Sequence, residues 1–270
     1  MDTSPEKPPF RWAGGKSWLL KYIHKFLPSK YNSYHEPFVG GGSVFFHLKP
    51  FGKSFLSDTN SDLINAYRQI QSNIDELINI LNKFKNTKDE YYKIRSLSYN
   101  KPAEKAAQFI YLNRTGFNGI YRVNLEGRYN VPYGFKKYKV LFDFERLRRI
   151  SNLLENSFLS CLDFELSLKY IKEKDLVFLD PPYTASHIKN CFIKYNERLF
   201  SWNDQIRLAS YVERLVDRRA FFILTNAKHD AVKRLFGKFC APISIMRPSV
   251  VGGKNAKREI IKEYIFSNTI

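Results

Sequence analysis

Residues 175–183 read DLVFLDPPY, an apolar run that ends in a carboxylate, two prolines and a tyrosine. Such a run suits a buried strand, and Asp180 then falls at its carboxyl end, where open α/β sheets bind ligands. Pro181 and Pro182 lack amide donors and stiffen the turn, so the Asp180 carboxylate and the Pro181 carbonyl face the cleft as acceptors. Tyr183 adds a ring. Two acceptors beside a stacking ring suit an exocyclic amine on a nucleobase: hydrogen bonds that hold the amino group draw its lone pair out of ring conjugation and aim it at an electrophile. A bare Asp-Pro pair would read as a strand-terminating turn with a solvated carboxylate. The full tetrapeptide behind an apolar strand favours chemistry over punctuation.

Two glycine-rich stretches could serve the same reaction. In HEPFVGGGSVFF, residues 35–46, a short apolar strand runs into Gly40, Gly41 and Gly42 and then into a helix-like stretch. Glycines there let backbone approach a ligand where side chains would collide. Asp58 follows at the end of the next strand candidate, in SFLSDTNSD, where an acidic residue of such folds accepts hydrogen bonds from ribose hydroxyls. Its bland role is a helix cap, which Ser61 or Asp62 could fill as well. Together the turn and the carboxylate suggest an adenosine-containing ligand, either a dinucleotide or S-adenosylmethionine. The other stretch, FRWAGGKS, imitates the end of a phosphate-binding P-loop, but Phe10 occupies the position of the required first glycine and no strand pattern precedes it.

These residues need a sheet to position them. Strand patterns fall at Tyr34 to Val39, Ser54 to Ser57, Phe158 to Leu162, Leu176 to Leu179, Phe221 to Thr225 and Ile260 to Phe266. Helical spacing marks Ser17 to Leu27, stopped by Pro28, and DQIRLASYVERLVDR, where Ile206, Ala209, Val212, Leu215 and Val216 make one face for a crossover over a parallel sheet. The ends of the chain therefore read as one doubly wound α/β sheet. The middle differs: Ser61 to Arg114 is mostly helical in pattern, and NRTGFNGIYRVNLEGRYNVPYGFKKYKV after it is polar, aromatic and basic, with turn residues that suggest a short hairpin. The expected division is a core of 1–60 and 150–270 with an insert at 61–149.

Composition narrows the partner. The 270 residues carry 44 Lys plus Arg against 26 Asp plus Glu, a net charge of +18, with 16% aromatics. Many rings among many cations fit nucleic acid, since rings stack on bases and cations meet phosphates. No run approaches the roughly 20 apolar residues that span a bilayer, and the start, MDTSPEKPPF, offers no signal peptide. An intracellular protein without membrane contact is expected. Three separated cysteines and five scattered histidines indicate neither a disulfide framework nor a metal site.

DPPY with an upstream EPFVGGG resembles the S-adenosylmethionine-dependent amino-methyltransferases. RWAGGK, LNRTGFNGIYRVN and NVPYG make the chain similar, from Phe10 to the final strand, to the Dam-type adenine-N6 DNA methyltransferases of the D12 class, which act on GATC. The resemblance implies a Rossmann-like methyltransferase sheet with a mainly helical target-recognition insert. It implies S-adenosylmethionine as methyl donor, S-adenosylhomocysteine as product, and no metal. Trp12, Ala13, Gly14, Gly15, Lys16, Glu36, Pro37, Phe38 and Gly40 would border the methionine part of the cofactor. Asp58 would bind its ribose, and Asp163 and Phe164 its adenine, with Asp180 close by. Asp180, Pro181, Pro182 and Tyr183 would form the target pocket, with Tyr195 as a second aromatic near a flipped base.

The same resemblance distributes the contacts to double-stranded DNA. Arg11 would reach a guanine outside the methylated base, and Phe117 would fill the hole left by base flipping. Asn118 would approach the orphaned partner base, with Gly119 and Asn124 in the same segment. Arg122 would read a guanine through its two major-groove acceptors, while Ile120 and Pro132 would touch a thymine methyl. After NVPYG this chain has Phe135-Lys136-Lys137-Tyr138, where relatives commonly begin Arg-Tyr, so Lys136 and Tyr138 mark a departure at one base pair. A cytoplasmic, nucleoid-associated enzyme is implied, with a cognate restriction endonuclease as a candidate functional partner. A methyltransferase of RNA or protein would share the cofactor features, and a catalytically silent DNA-binding protein would share the basic charge. NRTGFNGIYR favours duplex DNA over the first, and the intact DPPY argues against the second.

Overall fold

The computed structural model describes residues 5–124, 126–183, 200–248 and 260–270. Tyr195 and the basic 249–259 segment lie outside the described residues. Seven strands form one sheet: β1 (Tyr34–Glu36), β2 (Ser54–Asp58), β3 (Ser157–Cys161), β4 (Leu176–Leu179), β5 (Phe221–Ala227), β6 (Ile243–Pro248) and β7 (Ile260–Ser267), in the order β3-β2-β1-β4-β5-β7-β6. β1 runs parallel to β2 and β4, and β4 to β5, whereas β7 is antiparallel to both β5 and β6. The sheet is therefore the α/β arrangement expected from the apolar runs. β6 was not among the expected strands. It follows Pro242, ends in Pro248, and lies at the sheet edge with β7 as its neighbour in the sheet order. Edge position is where such prolines are tolerated.

The chain divides into two compact units, Met1–Ser17 with Val39–Pro50 and Ser57–Cys161, and Trp18–Phe38 with Phe51–Leu56 and Leu162–Ile270. In the second unit Val177 and Leu179 of β4, Phe222 and Leu224 of β5 and Phe266 of β7 form a core with Leu208, Val212 and Leu215 of the helix Trp202–Asp217. Ser201 and Asp204 make a reciprocal capping box at the start of that helix. Its buried stripe is turned from the expected one: Ile206 and Val216 are 47% and 41% exposed, while Gln205 and Leu208 are fully buried. The cause is polar. Gln205 accepts a hydrogen bond from the buried Asn226 amide of β5 at 2.9 Å, so the helix turns its Gln205 side to the sheet.

The expected helix at Ser17 to Leu27 is instead a series of turns ending in a 3-10 helix, Ile23–Phe26. Its bonds are of the tighter kind, Tyr22 N to Leu19 O at 2.7 Å and Lys25 N to Tyr22 O at 2.9 Å. Leu19, Ile23 and Phe26 are buried all the same, so apolar spacing was satisfied without a regular helix.

The first unit is largely helical. Helices run over Ser61–Ser72, Ile74–Leu81, Lys88–Ser96, Pro102–Thr115 and Phe144–Leu154. Asn60, Thr87 and Asp143 cap three of them by accepting from the amides of Leu63, Glu90 and Arg146. Tyr91, Ile94, Tyr111 and Leu112 form a core with Tyr133, which belongs to the second of two hairpin-like arms, 116–124 and 128–134. Those arms are joined by Phe117 N to Pro132 O at 2.8 Å, Asn124 N to Arg128 O at 2.8 Å and Asn130 N to Arg122 O at 3.1 Å.

Candidate active site and nucleic-acid interface

In the first unit the glycine turn is built around Trp12. Gly40 has φ +46, and a Cβ placed on it would come within 2.7 Å of the Trp12 ring. Two reasons thus require glycine, backbone handedness and the indole beside it. Asp58 fastens the turn: one carboxylate oxygen accepts from Gly40 N at 3.1 Å and the other from Asn60 N at 2.9 Å. Burial raises the Asp58 pKa and these backbone bonds oppose the rise. The helix cap after it is Asn60, which relieves Ser61 and Asp62 of that role. Tyr67 donates to Gly40 O at 2.9 Å. Ala13, Gly14 and Gly15 are exposed, whereas Lys16 is buried and donates to Gly14 O at 2.9 Å.

The Trp12 ring also stacks on Tyr121, centroids 5.6 Å apart and planes at 24°, and the Tyr121 hydroxyl donates to Asp62 at 2.8 Å. The glycine turn and the arm carrying Ile120, Arg122 and Asn124 are therefore in one packed cluster. Arg11 is pinned by its backbone, which exchanges bonds with the Asn113 side chain at 3.0 and 2.8 Å. Its aliphatic stem crosses Gly119, leaving no room there for a Cβ. Phe117 is 50% exposed and Asn118 adopts φ +54, so the tip of this segment presents a ring and an amide outward. Arg122 is exposed and donates to Asn130 through Nε at 2.7 Å and Nη2 at 3.4 Å, and Pro132 is exposed on the facing arm. Burial and the charges of Arg11 and Arg114 lower the Lys136 pKa. Tyr138 lies under the Arg114 guanidinium at 4.1 Å and donates to Arg114 O at 2.8 Å.

In the second unit Glu36 ends β1 fully buried, accepts from the Tyr34 hydroxyl at 2.7 Å and is followed by the buried Pro37. The Phe38 ring meets Phe164 at 5.2 Å. Asp163 caps the 3-10 helix Phe164–Tyr170 and takes a 2.7 Å bond from Arg207, whose guanidinium also pairs with Glu165 and Asp204 and lies over the Phe164 ring at 4.9 Å. At the end of β4, the Asp180 carboxylate accepts from Thr225 Oγ1 at 2.8 Å. Pro181 is buried, Pro182 half-buried, and Tyr183 donates to the fully buried Glu263 at 2.7 Å. Burial, with Glu263 and Asp180 nearby, pushes the Tyr183 phenol well above its ordinary range, so it remains a donor.

Several partners were not legible as site residues: Thr225, Glu263 and Arg207 in the second unit, Asn113 and Asn130 in the first. Thr225, Glu263, Arg207 and Asn113 sit in strand or helix patterns that read as framework, and Asn130 in a turn-rich stretch, so only register and packing bring each to a motif residue. Among the described residues no group of three or more His, Cys, Asp or Glu could hold a metal ion, and no helix is long and apolar enough to cross a membrane.

A largely parallel sheet with an antiparallel closing pair, its β4 running into the DPPY turn, is the arrangement expected of an amino-methyltransferase. The family model of D12 class N6 adenine-specific DNA methyltransferases matches residues 12–250, and the chain belongs to that family. It is 36% identical over 273 residues to the type II methyltransferase M1.LlaDCHI of Lactococcus lactis subsp. cremoris, covering 97% of this chain and 95% of that one. It is 35% identical over 283 residues to the type II methyltransferase M.MjaIII of Methanocaldococcus jannaschii, with 96% of each chain covered. The DNA adenine methylase of Escherichia coli (strain K12) is 35% identical over 229 residues, 82% of this chain and 80% of that one. The protein is an adenine-specific DNA methyltransferase with a Rossmann-like fold, and its family implies S-adenosylmethionine as methyl donor.

Proposed function

We propose that this enzyme methylates N6 of an adenine rotated out of duplex DNA, within GATC. The observation that carries the reading is the Asp180 carboxylate, oriented by Thr225 at the carboxyl end of β4 and followed at once by Pro181 and Tyr183. The Asp180 carboxylate and the Pro181 carbonyl accept from the N6 amino group, holding its lone pair out of ring conjugation. The Tyr183 ring stacks on the base, and Tyr195 is assigned beside it by resemblance alone. These residues would act by aligning the amino group and excluding water.

The residues present fit the cofactor. Gly40 holds a tight left-handed turn against an indole, Glu36 is a buried acceptor, and Asp163 is a fixed carboxylate next to the Phe164 ring. When bound, S-adenosylmethionine supplies an electrophilic sulfonium methyl. Trp12 to Lys16 with Glu36, Pro37, Phe38 and Gly40 would hold its methionine part, Asp58 its ribose, and Asp163 and Phe164 its adenine.

Residues 61–149 would recognise the target. Phe117 would fill the gap left by the rotated adenine, with Asn118 and Gly119 facing the orphaned base. Arg122, aimed by Asn130, would read a guanine, Ile120 and Pro132 a thymine methyl, and Arg11 a guanine beside them, with Asn124, Lys136 and Tyr138 along the strand. Similarity to proteins named type II methyltransferases supports a cognate restriction endonuclease as functional partner, and a DNA substrate supports work at the nucleoid in the cytoplasm. Labelled-methyl transfer to duplexes with and without GATC, followed by mapping of the modified base, tests the reading. Label on adenine N6 in GATC alone is expected, and equal labelling of duplexes lacking GATC would remove the site assignment.

A further inference from the structure

Register brings three polar residues together on one face of the closing strands. Glu263 of β7 lies opposite Ala227 of β5 and Ile245 of β6. Side chains two positions apart share a face, so Thr225 on β5 and Arg247 on β6 are diagonal neighbours of Glu263. The contacts agree: Glu263 accepts from Arg247 Nε through one carboxylate oxygen and from the Tyr183 hydroxyl through the other at 2.7 Å, while Thr225 holds Asp180 at 2.8 Å. Glu263 is 0% exposed, and Arg247 lies near the Trp18 ring at 5.8 Å.

We propose that Glu263, held by Arg247, is a positioning residue for methyl transfer: it tethers the Tyr183 hydroxyl and so fixes the plane in which the Tyr183 ring meets the target base. This rests on the reading that Tyr183 stacks on that base. A ring anchored only at its backbone can swing about its first side-chain torsion, whereas one also anchored at its para oxygen cannot. Offset stacking depends on that plane. A buried carboxylate is costly unless paired and hydrogen-bonded, and an ion pair with Arg247 alone would be weak reason to keep it, since apolar residues of like volume fill such sites as well. The second carboxylate oxygen is spent on Tyr183, and a carboxylate that only braced the sheet would have no need of it. The polar diagonal runs from the last strands to the DPPY turn, so both ends of the motif are set by the same face: Asp180 through Thr225, and Tyr183 through Glu263 with Thr225 beside it.

The test is single-turnover methylation of a GATC duplex by wild type, Tyr183→Phe, Tyr183→Ala, Glu263→Gln and the double variant Tyr183→Phe/Glu263→Gln. Affinity for S-adenosylhomocysteine and the thermal midpoint are measured on each. Losing a hydrogen bond to a charged group should slow Tyr183→Phe by roughly tenfold with affinity for S-adenosylhomocysteine unchanged. Glu263→Gln should slow by a similar factor, and the double variant should be no slower than the slower single one. Factors that multiply in the double variant, or Tyr183→Phe turning over at the wild-type rate, would overturn the tether. Tyr183→Phe leaves the Glu263–Arg247 pair in place, so it decides the matter even if Glu263→Gln does not fold. Tyr183→Ala separates the two levels: full activity there removes the base-stacking reading itself, whereas an impaired Tyr183→Ala beside a normal Tyr183→Phe removes the tether alone.

Discussion

At Asp180 the carboxylate is aimed before any substrate arrives, because Thr225 donates to it at 2.8 Å. Asp180→Ala should abolish methylation and leave S-adenosylhomocysteine binding largely intact; substantial single-turnover activity in the folded variant would end the amine-holding role. Arg122 is likewise pre-aimed, with two of its N–H groups on Asn130. If its remaining donors bridge both acceptors of a guanine, Arg122→Ala should lose about 1–3 kcal/mol of discrimination at that base pair. Comparing kcat/KM on GATC and on each single-base variant checks this, and a uniform loss with preference ratios intact would assign Arg122 to backbone contact. Asp180 and Tyr183 could be picked out of the sequence because proline, carboxylate and ring are adjacent there. Glu263 could not, since a glutamate in IIKEYIFS reads as a solvent-facing position of an alternating strand, whereas in the fold it is fully buried against Tyr183 and Arg247.

Among elements, the glycine turn is the most constrained. Gly40→Ala must place a methyl in a left-handed conformation and against the Trp12 ring. Strain of this kind costs about 1–3 kcal/mol, and chemical denaturation should register it as a lower midpoint together with weaker S-adenosylhomocysteine binding. An unchanged midpoint and affinity would mean that the turn is pliable. Strands were legible where apolar runs are continuous, as in β4, because both faces are covered. The turns at 17–27 were not, because turns running into a 3-10 segment bury Leu19, Ile23 and Phe26 with the spacing of an α-helix. The stripe of the Trp202–Asp217 helix was misjudged for a related reason. Hydrophobicity favours Ile206, but the Gln205–Asn226 bond decides which side faces the sheet.

For the molecule as a whole, a net charge of +18 makes binding to unrelated duplex an electrostatic affair. Its affinity should fall steeply as salt rises, through loss of counterion release, and a flat salt titration would remove that argument. Binding to the methylation site should fall less, since base contacts persist when phosphate contacts are screened. The order of the sheet carries a different consequence, for the making of the protein. β7 lies between β5 and β6, yet it follows both in the chain. During synthesis β6 therefore emerges with its neighbour still unmade, and the antiparallel end of the sheet can close only when residues 260–267 leave the ribosome. Glu263 arrives on that same strand. The parallel strands can pair earlier, and Thr225 of β5 can already hold Asp180, but Tyr183 gains its buried acceptor only at this last step, so a nascent chain stalled before β7 has its DPPY motif fastened at one end alone.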